Sequence, residues 1–239
     1  MPSEGIKQIP HSEILSFEEI VEVVKYAVSR GIDKIRITGG EPLVRKGIVE
    51  LVEMLSEIEG IKELTMTSNG ILLADYAQKL KQAGLNRINI SLDTIDPDKY
   101  KKITRGGDIK DAIKGIVAAQ KAGLCPVKIN CVVKENSNEP DAIGVKEFCN
   151  KMNIQVRFIH LMDLNHGYFS VIEGGTGGNC AKCNRLRLNA RGDIMPCLFS
   201  DIAYNIRKLG IPEAFRLALE NKPKAGTKSQ THMFYNTGG

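Results

Sequence analysis

The sequence predicts an α/β fold in which a parallel sheet closes into a barrel. Helix-like and strand-like segments alternate along the first two-thirds of the 239 residues, and this alternation is typical of βαβ units and parallel sheets. The strand-like segments alternate polar and apolar residues, whereas parallel strands covered by helices on both faces usually form continuous apolar runs. The length suits a single α/β barrel.

Local signals mark where the elements begin and end. Ser16-Phe17-Glu18-Glu19 forms a capping box that starts a helix, and Gly31 follows its last turn. Pro140 opens a later helix. The other predicted helices cover 46–58, 73–82 and 109–122, and the predicted strands cover 34–38, 63–68, 87–93, 127–133 and 154–160.

The polar positions of these strands indicate a polar lumen. A period of two places alternate residues on one face of a sheet, and unpaired charges are not tolerated in a dry core. A cationic lumen suits a polyanionic substrate such as a nucleoside triphosphate. The alternative is an α/β sandwich with one solvated sheet face. The lumen cations are expected to be Lys34, Arg36, Lys128 and Arg157.

Composition limits the function classes. The formal net charge is +5, which is too mild for a typical nucleic-acid-binding protein. No apolar run approaches the length of a membrane span, and the first residues lack the apolar core of a secretory signal. We therefore expect a cytoplasmic protein without nucleic-acid or membrane partners. Its six cysteines are expected to be thiols or ligands rather than disulfides.

Two short segments carry the strongest chemical signals. Cys180-Ala-Lys-Cys183, followed by Cys197, has a spacing that lets thiolates bind one centre. Three thiolates leave an iron–sulfur cluster with one open iron, although His160 or His166 would complete a zinc site and plain structural thiols are a further alternative. Cys125, Cys131 and Cys149 lie among apolar neighbours and are expected to be buried.

A pair of arginines and a pair of glycines are two further candidate ligand-binding segments. Arg185 and Arg187 are two residues apart, so in an extended segment both guanidinium groups face one way and suit phosphate oxygens; the alternative is a solvated basic loop. Gly39-Gly40-Glu41-Pro42 ends a strand, and its glycines let a ligand approach the backbone closely. The alternative there is a tight strand-to-helix turn.

Together these segments resemble the GTP 3′,8-cyclase family of molybdenum cofactor biosynthesis, within the radical S-adenosylmethionine superfamily. The segments that carry the resemblance are Lys34-Ile-Arg-Ile-Thr-Gly-Gly-Glu-Pro42, Ile88-Asn-Ile-Ser-Leu-Asp-Thr94, the three cysteines, Asn184-Arg-Leu-Arg-Leu188, 191–201 and the final Gly238-Gly239. The resemblance implies a lyase with an incomplete parallel (βα) barrel over 1–162, whose first strand is missing. It also implies a C-terminal iron–sulfur extension over 163–239.

The resemblance also implies roles for individual residues. The contacts to S-adenosylmethionine would come from Gly39, Gly40, Glu41, Ser91 and Met162. GTP would be held by Arg36, Thr67, Lys128, Arg157, Arg185 and Arg187. A substrate-side [4Fe–4S] cluster would be ligated by Cys180, Cys183 and Cys197, and Gly238 and Gly239 would assist catalysis. The partners implied are GTP, an electron donor, a downstream molybdopterin-pathway enzyme and, as one option, a second copy in a homodimer.

The chain departs from the family pattern at two places. The family binds another [4Fe–4S] cluster on a Cys-x3-Cys-x2-Cys loop, and the 239 residues contain no such loop. Met1-Pro2 resembles the residues that follow its last cysteine, so we expect the loop to be encoded upstream in frame. Only seventeen residues separate Met162 from Cys180, fewer than in the family. Another radical enzyme with an auxiliary cluster and a non-catalytic iron–sulfur or GTP-binding fragment remain alternatives.

Overall fold

The structure is a computed structural model that describes residues 9–175 and 177–231. The chain divides into two compact units. The sheet unit consists of Ile32–Leu161 and Ser170–Gly177. The cysteine unit comprises the described residues of Met1–Gly31, Met162–Phe169 and Gly178–Gly239.

The elements follow one another in the alternation that the sequence predicts. The helices are α1 Phe17–Ser29, α2 Ile48–Ser56, α3 Leu73–Gln82, α4 Pro97–Thr104, α5 Ile109–Lys121, α6 Pro140–Lys151, α7 Ile206–Leu209 and α8 Ile211–Glu220. The strands are β1 Lys34–Ile37, β2 Glu63–Ser68, β3 Arg87–Ser91, β4 Lys128–Val133, β5 Gln155–His160, β6 Arg187–Leu188, β7 Asp193–Met195 and β8 Tyr204–Asn205. Among these, helices α4, α7 and α8 and strands β6 to β8 were not predicted. The start of α4 is nevertheless marked by Asp96, whose carboxylate accepts from two backbone N–H groups, and by Pro97.

The sheet unit confirms the parallel α/β fold. Its five described strands are hydrogen-bonded in the order β1-β2-β3-β4-β5, and every neighbouring pair is parallel. The apolar face is buried, with Met66, Ile88, Ile90 and Ile129 inaccessible to solvent. Helices α3 and α5 pack against each other, and Gly115 on α5 allows their close approach, because a Cβ there would lie 2.1 Å from the Gly70 carbonyl oxygen.

The opposite face of the sheet is polar, and its exposure varies along the strand order. Thr65 and Asn89 are buried, and Lys128 and Arg157 are half-buried. Lys34 and Arg36 are exposed, since β1 is an edge strand of the described sheet. The enclosed polar surface is therefore formed by strands β2, β3, β4 and β5, and the edge strand β1 contributes little to it.

The cysteine unit combines three separate stretches of the chain. Strands β6, β7 and β8 form an antiparallel sheet, and Tyr26 on α1 packs edge-on against Phe215 on α8. Arg207 joins the stretches, because its guanidinium donates to the Ser12 and Ile14 carbonyls and to the Glu19 carboxylate. This arginine is the main reason that the pKa of Glu19 falls to about 2.

The cysteines outside the predicted ligand set divide into two kinds. Cys131 and Cys149 are buried, as predicted, and burial raises their pKa values to about 12 and about 11. These thiols therefore stay protonated and unreactive, and they act as packing residues. The prediction is wrong for Cys125, which is exposed because it lies in the turn between α5 and β4. Among the described residues, no helix has the length and apolarity that crossing a membrane requires.

Candidate functional site

The glycine loop after β1 is held by the carboxylate of Glu41. Its Oε1 accepts from the Leu43 N–H at 3.0 Å and from the Ser68 hydroxyl at 2.9 Å, and its Oε2 accepts from the Asn69 N–H at 2.7 Å. Glu41 thereby joins the carboxyl ends of β1 and β2. Gly39 and Gly40 are exposed, and Gly39 has a φ of +156°, which L side chains rarely adopt. The loop offers its backbone to a ligand while the carboxylate fixes its shape.

Glu41→Ala is expected to destabilise the sheet unit by about 2 kcal/mol, because three donors lose their acceptor. Chemical denaturation of the cluster-free chain measures this loss. The matched control is Glu53→Ala, an exposed glutamate on α2. A Glu41→Ala midpoint equal to that of the control would contradict the fixing role. Glu41→Gln keeps one carbonyl acceptor and is expected to fall between the two.

The predicted lumen residues of the sheet unit share one electrostatic environment. Burial lowers the pKa of Lys128 most, the nearby Arg157, Arg87 and Arg36 lower it further, and Glu63 opposes them. Arg87 forms an ion pair with Glu63 at 2.5 Å and donates to the Asn89 side chain at 3.1 Å. This concentration of positive charge favours a polyanion.

Two predicted contact residues lie on neighbouring strands of this face. Thr67 pairs with Asn89 across β2 and β3, and its hydroxyl lies 3.5 Å from the Asn89 amide nitrogen. Ser91 is exposed at the last position of β3. Arg87 is a residue of this face that the sequence analysis did not identify. It belongs to the polar positions of its strand, but no motif marks it as a site residue. Its ion pair with Glu63 depends on a pairing of strands that the sequence does not specify.

The three predicted ligand cysteines lie in the cysteine unit. Cys180 begins a 3-10 turn, whose closing bond runs from the Cys183 N–H to the Cys180 carbonyl at 3.1 Å. Burial is the main cause of the raised pKa of Cys197, and the neighbouring Cys183 and Cys180 sulfurs also raise it. A Cβ on Gly226 would lie 2.9 Å from Cys197 Sγ. Glycine at position 226 therefore leaves room beside this sulfur.

Within the described ranges, no three His, Cys, Asp or Glu side chains converge closely enough to hold one metal ion. The thiolates of a four-iron cluster each bind a different iron, so they stand farther apart than ligands of a single ion. His166, one of the two histidines considered for zinc, has its Nδ1 2.6 Å from the Asp163 carboxylate. Three thiols in a cationic setting fit an iron–sulfur cluster by donor chemistry.

Arg187 is a largely buried cation among the described residues of this unit. Its Nε is inaccessible to solvent and has no hydrogen-bond partner among the described residues. Burial and the neighbouring Arg185 lower the pKa of Arg187, while the Cys183 and Cys197 sulfurs raise it. A buried donor without an acceptor is costly. Arg187 is thus poised to bind an anion.

Lys222 was not identified from the sequence, because a lone lysine after a helix carries no motif. Its ammonium donates to the Arg185 carbonyl at 2.7 Å and to the Pro196 carbonyl at 2.5 Å. It also lies 3.8 Å from Cys183 Sγ. One side chain therefore connects the segments that carry two of the predicted ligands.

The remaining predicted site residues are placed as follows. Met162 packs against an apolar cluster of Leu164, Leu198 and Phe199. Arg185 is exposed. Gly238 and Gly239 lie outside the described residues. The chain leading toward them is anchored at Asp201, whose carboxylate accepts from the Ser229 and Thr231 hydroxyls and from the backbone N–H groups of Gln230 and Thr231.

Asp201→Ala is expected to speed hydrogen exchange at the Gln230 and Thr231 amides roughly 10-fold, since both lose their acceptor. The Ser229 hydroxyl is the main cause of the Asp201 pKa falling to about 2. The folded pKa is depressed, so the anchoring is complete above the ordinary value near 3.8 and is lost as the pH falls through about 2. Carboxyl NMR titration checks this value, and a titration near 3.8 would contradict the anchor.

Comparison with similar proteins shows which family the chain belongs to. The chain is 40% identical over 255 residues to the GTP 3′,8-cyclase of Thermodesulfovibrio yellowstonii, covering 87% of this chain and 79% of the relative. It is 38% identical over 289 residues to the GTP 3′,8-cyclase of Petrotoga mobilis, covering 98% and 87%. Residues 2–149 match the Radical SAM superfamily model. The chain belongs to the GTP 3′,8-cyclase family of the radical SAM superfamily. The resemblance inferred from the motifs is confirmed.

Family membership also fixes the cofactor class. Radical SAM proteins use a [4Fe–4S] cluster and S-adenosylmethionine, and both are implied here. The Petrotoga alignment is longer than this 239-residue chain, so that relative has residues for which this chain has no counterpart.

A solved structure supports the fold independently. The structure "Native anSMEcpe with bound AdoMet and Kp18Cys peptide" superposes with a TM-score of 0.62 at 14% identity, covering 87% of this chain and 72% of the other. At this identity the similarity concerns the fold alone, and it confirms the α/β architecture of radical SAM enzymes.

Proposed function

We propose that this chain is a GTP 3′,8-cyclase, which converts GTP to a cyclic nucleotide in the first step of molybdenum cofactor biosynthesis. In this reaction a ribose carbon of GTP becomes bonded to its purine. The observation that carries the proposal is the buried guanidinium of Arg187, a donor without an acceptor among the described residues, in a chain of this family.

The assignment of residues follows the chemistry of each group. GTP phosphates would be neutralised by Arg36, Lys128, Arg157, Arg185 and Arg187, with Thr67 as a hydroxyl contact. S-adenosylmethionine would contact the backbone of Gly39 and Gly40, on the loop that Glu41 fixes. Ser91 and Met162 would supply further contacts from other parts of the chain. Bound S-adenosylmethionine and its cluster supply the radical that starts the reaction. The protein positions GTP and excludes water.

We further propose a substrate-side [4Fe–4S] cluster on Cys180, Cys183 and Cys197. The division into a barrel over 1–162 and an extension over 163–239 follows this assignment of cofactors. The final Gly238 and Gly239 would reach the substrate. The activity would take place in the cytoplasm, with an electron donor and a downstream enzyme that accepts the cyclic product. A homodimer is compatible with this scheme.

Three measurements test the proposal: iron content, GTP affinity and turnover. The chain is reconstituted anaerobically with iron and sulfide, and its iron content and GTP affinity are measured. About four irons per chain are expected from this sequence, and about eight from a longer protein in which a Cys-x3-Cys-x2-Cys loop is added before it. The longer protein is then incubated with GTP, S-adenosylmethionine and a reductant.

A cyclised nucleotide formed together with 5′-deoxyadenosine would support the assignment. Iron uptake without GTP binding would favour another radical enzyme with an auxiliary cluster. GTP binding without turnover by the longer protein would favour a non-catalytic module. Zinc in place of iron would refute the cluster.

A further inference from the structure

We propose that Lys222 is a positioning residue for the cluster on Cys180, Cys183 and Cys197, and that its ammonium raises the reduction potential of that cluster. This inference rests on the cluster assignment of the proposed function. It concerns a side chain that no sequence motif identifies.

The first argument is the geometry of the ammonium group. A lysine ammonium has three N–H donors and no acceptor. In Lys222 they face the Arg185 carbonyl at 2.7 Å, the Pro196 carbonyl at 2.5 Å and Cys183 Sγ at 3.8 Å. Arg185 lies two residues after one predicted ligand, and Pro196 directly precedes Cys197. One group therefore fixes the distance between two ligand-bearing segments.

The second argument is how Lys222 is itself held. It follows the last residue of α8 by two positions, and Pro223 comes next. The Lys222 N–H donates to the Leu219 carbonyl, which continues the end of the helix. The residue is half-buried. A lysine fixed at a helix end presents its charge at a defined place, unlike a lysine on a mobile surface loop.

The third argument is electrostatic. Thiolate ligands of an iron–sulfur cluster carry negative charge, and reduction adds one more electron. A cation that donates to a ligand sulfur stabilises the reduced state more than the oxidised state, so it raises the potential. Arg187 places a second cation near the Cys183 and Cys197 sulfurs. Lys222 differs from it, because it also binds the backbone of both ligand segments.

The experiment compares Lys222→Met and Lys222→Arg with the parent chain after anaerobic reconstitution. Iron per chain, the rate of iron release to a chelator and the midpoint potential from an EPR-monitored titration are measured. This sequence has no Cys-x3-Cys-x2-Cys loop, so the signal comes from the proposed cluster alone. The matched control is Lys224→Met, at an exposed lysine two residues away.

Lys222→Met is expected to release iron about 10- to 100-fold faster than the parent and to be reduced at a more negative potential. Lys222→Arg keeps the charge, so its potential is expected nearer that of the parent, while its different shape still speeds release. Unfolding of the cluster-free chains shows whether Lys222→Met still folds. If it does not fold, the comparison of Lys222→Arg with the parent decides.

A cluster in Lys222→Met with the parent's release rate, or with the parent's potential, would overturn the inference. If the methionine variant does not fold, a cluster in Lys222→Arg that releases iron at the parent's rate would overturn it. Failure of the proposed function looks different. In that case the parent chain itself binds no iron, or binds it equally well after its ligand cysteines are replaced.

Discussion

Replacing Arg187 with alanine is expected to weaken GTP binding by roughly 100-fold, equivalent to about 2.7 kcal/mol. The guanidinium is buried and its Nε has no acceptor among the described residues. Its charge-assisted bonds to phosphate would therefore be made in a setting that screens them little. Equilibrium titration of the reconstituted chain with GTP measures the effect.

A second variant at position 187 separates charge from shape, and a variant elsewhere serves as its control. Arg187→Lys keeps the charge but loses the planar fork, so an intermediate affinity is expected. The matched control is Arg216→Ala on α8, where the guanidinium is exposed and paired with Glu213 and Glu220. A GTP affinity of Arg187→Ala equal to that of the control would contradict the phosphate role.

The largest expected effect on stability comes from Gly115→Ala. The added Cβ would lie 2.1 Å from the Gly70 carbonyl oxygen and 3.1 Å from Leu73 Cβ. Neither neighbour is the flexible end of a side chain, so α3 and α5 must move apart. Overpacking of this kind costs about 1–3 kcal/mol, and we expect the upper end because the closest atom belongs to the backbone. Chemical denaturation of the cluster-free chain measures the loss.

The control for this prediction is the same substitution in another helix. A Cβ on Gly144 of α6 would meet only the Ile95 side chain, at 3.1 Å, and Ile95 is 40% exposed and free to shift. Alanine also favours a helix over glycine by about 1 kcal/mol. Gly144→Ala is therefore expected to leave stability within about 1 kcal/mol of the parent. Equal midpoints for the two variants would refute the packing argument.

The sequence predicted the sheet unit well because its signals are local. The strand at 63–68 and the helix at 73–82 have the predicted bounds, since turn residues and a clear period mark them. Helix α4 was missed because it is short and strongly polar. The wrong placement of Cys125 in the interior has a similar cause, because apolar neighbours in sequence do not ensure burial at a turn.

The site was predictable only where its functional residues form short sequence motifs. The glycine loop and the cysteine spacing could be recognised as sequence patterns. The role of Glu41 in joining two strand ends depends on Ser68 and Asn69, which lie far away in sequence. Lys222 likewise approaches Arg185 and Pro196 only after folding. Contacts between distant residues leave no period or motif from which to predict them.

The cysteine unit is formed by separated stretches of the chain, and this affects when it can fold during synthesis. Helix α1 leaves the ribosome early, whereas its partners Arg207 and Phe215 are translated near the other end. Contacts between such distant residues form slowly. The continuous stretch 32–161 has its parallel strands available much sooner, and domains generally fold as units while translation proceeds. The three predicted ligand cysteines therefore gain their surroundings only after α8 has been translated, so metal loading is expected to follow the synthesis of α8.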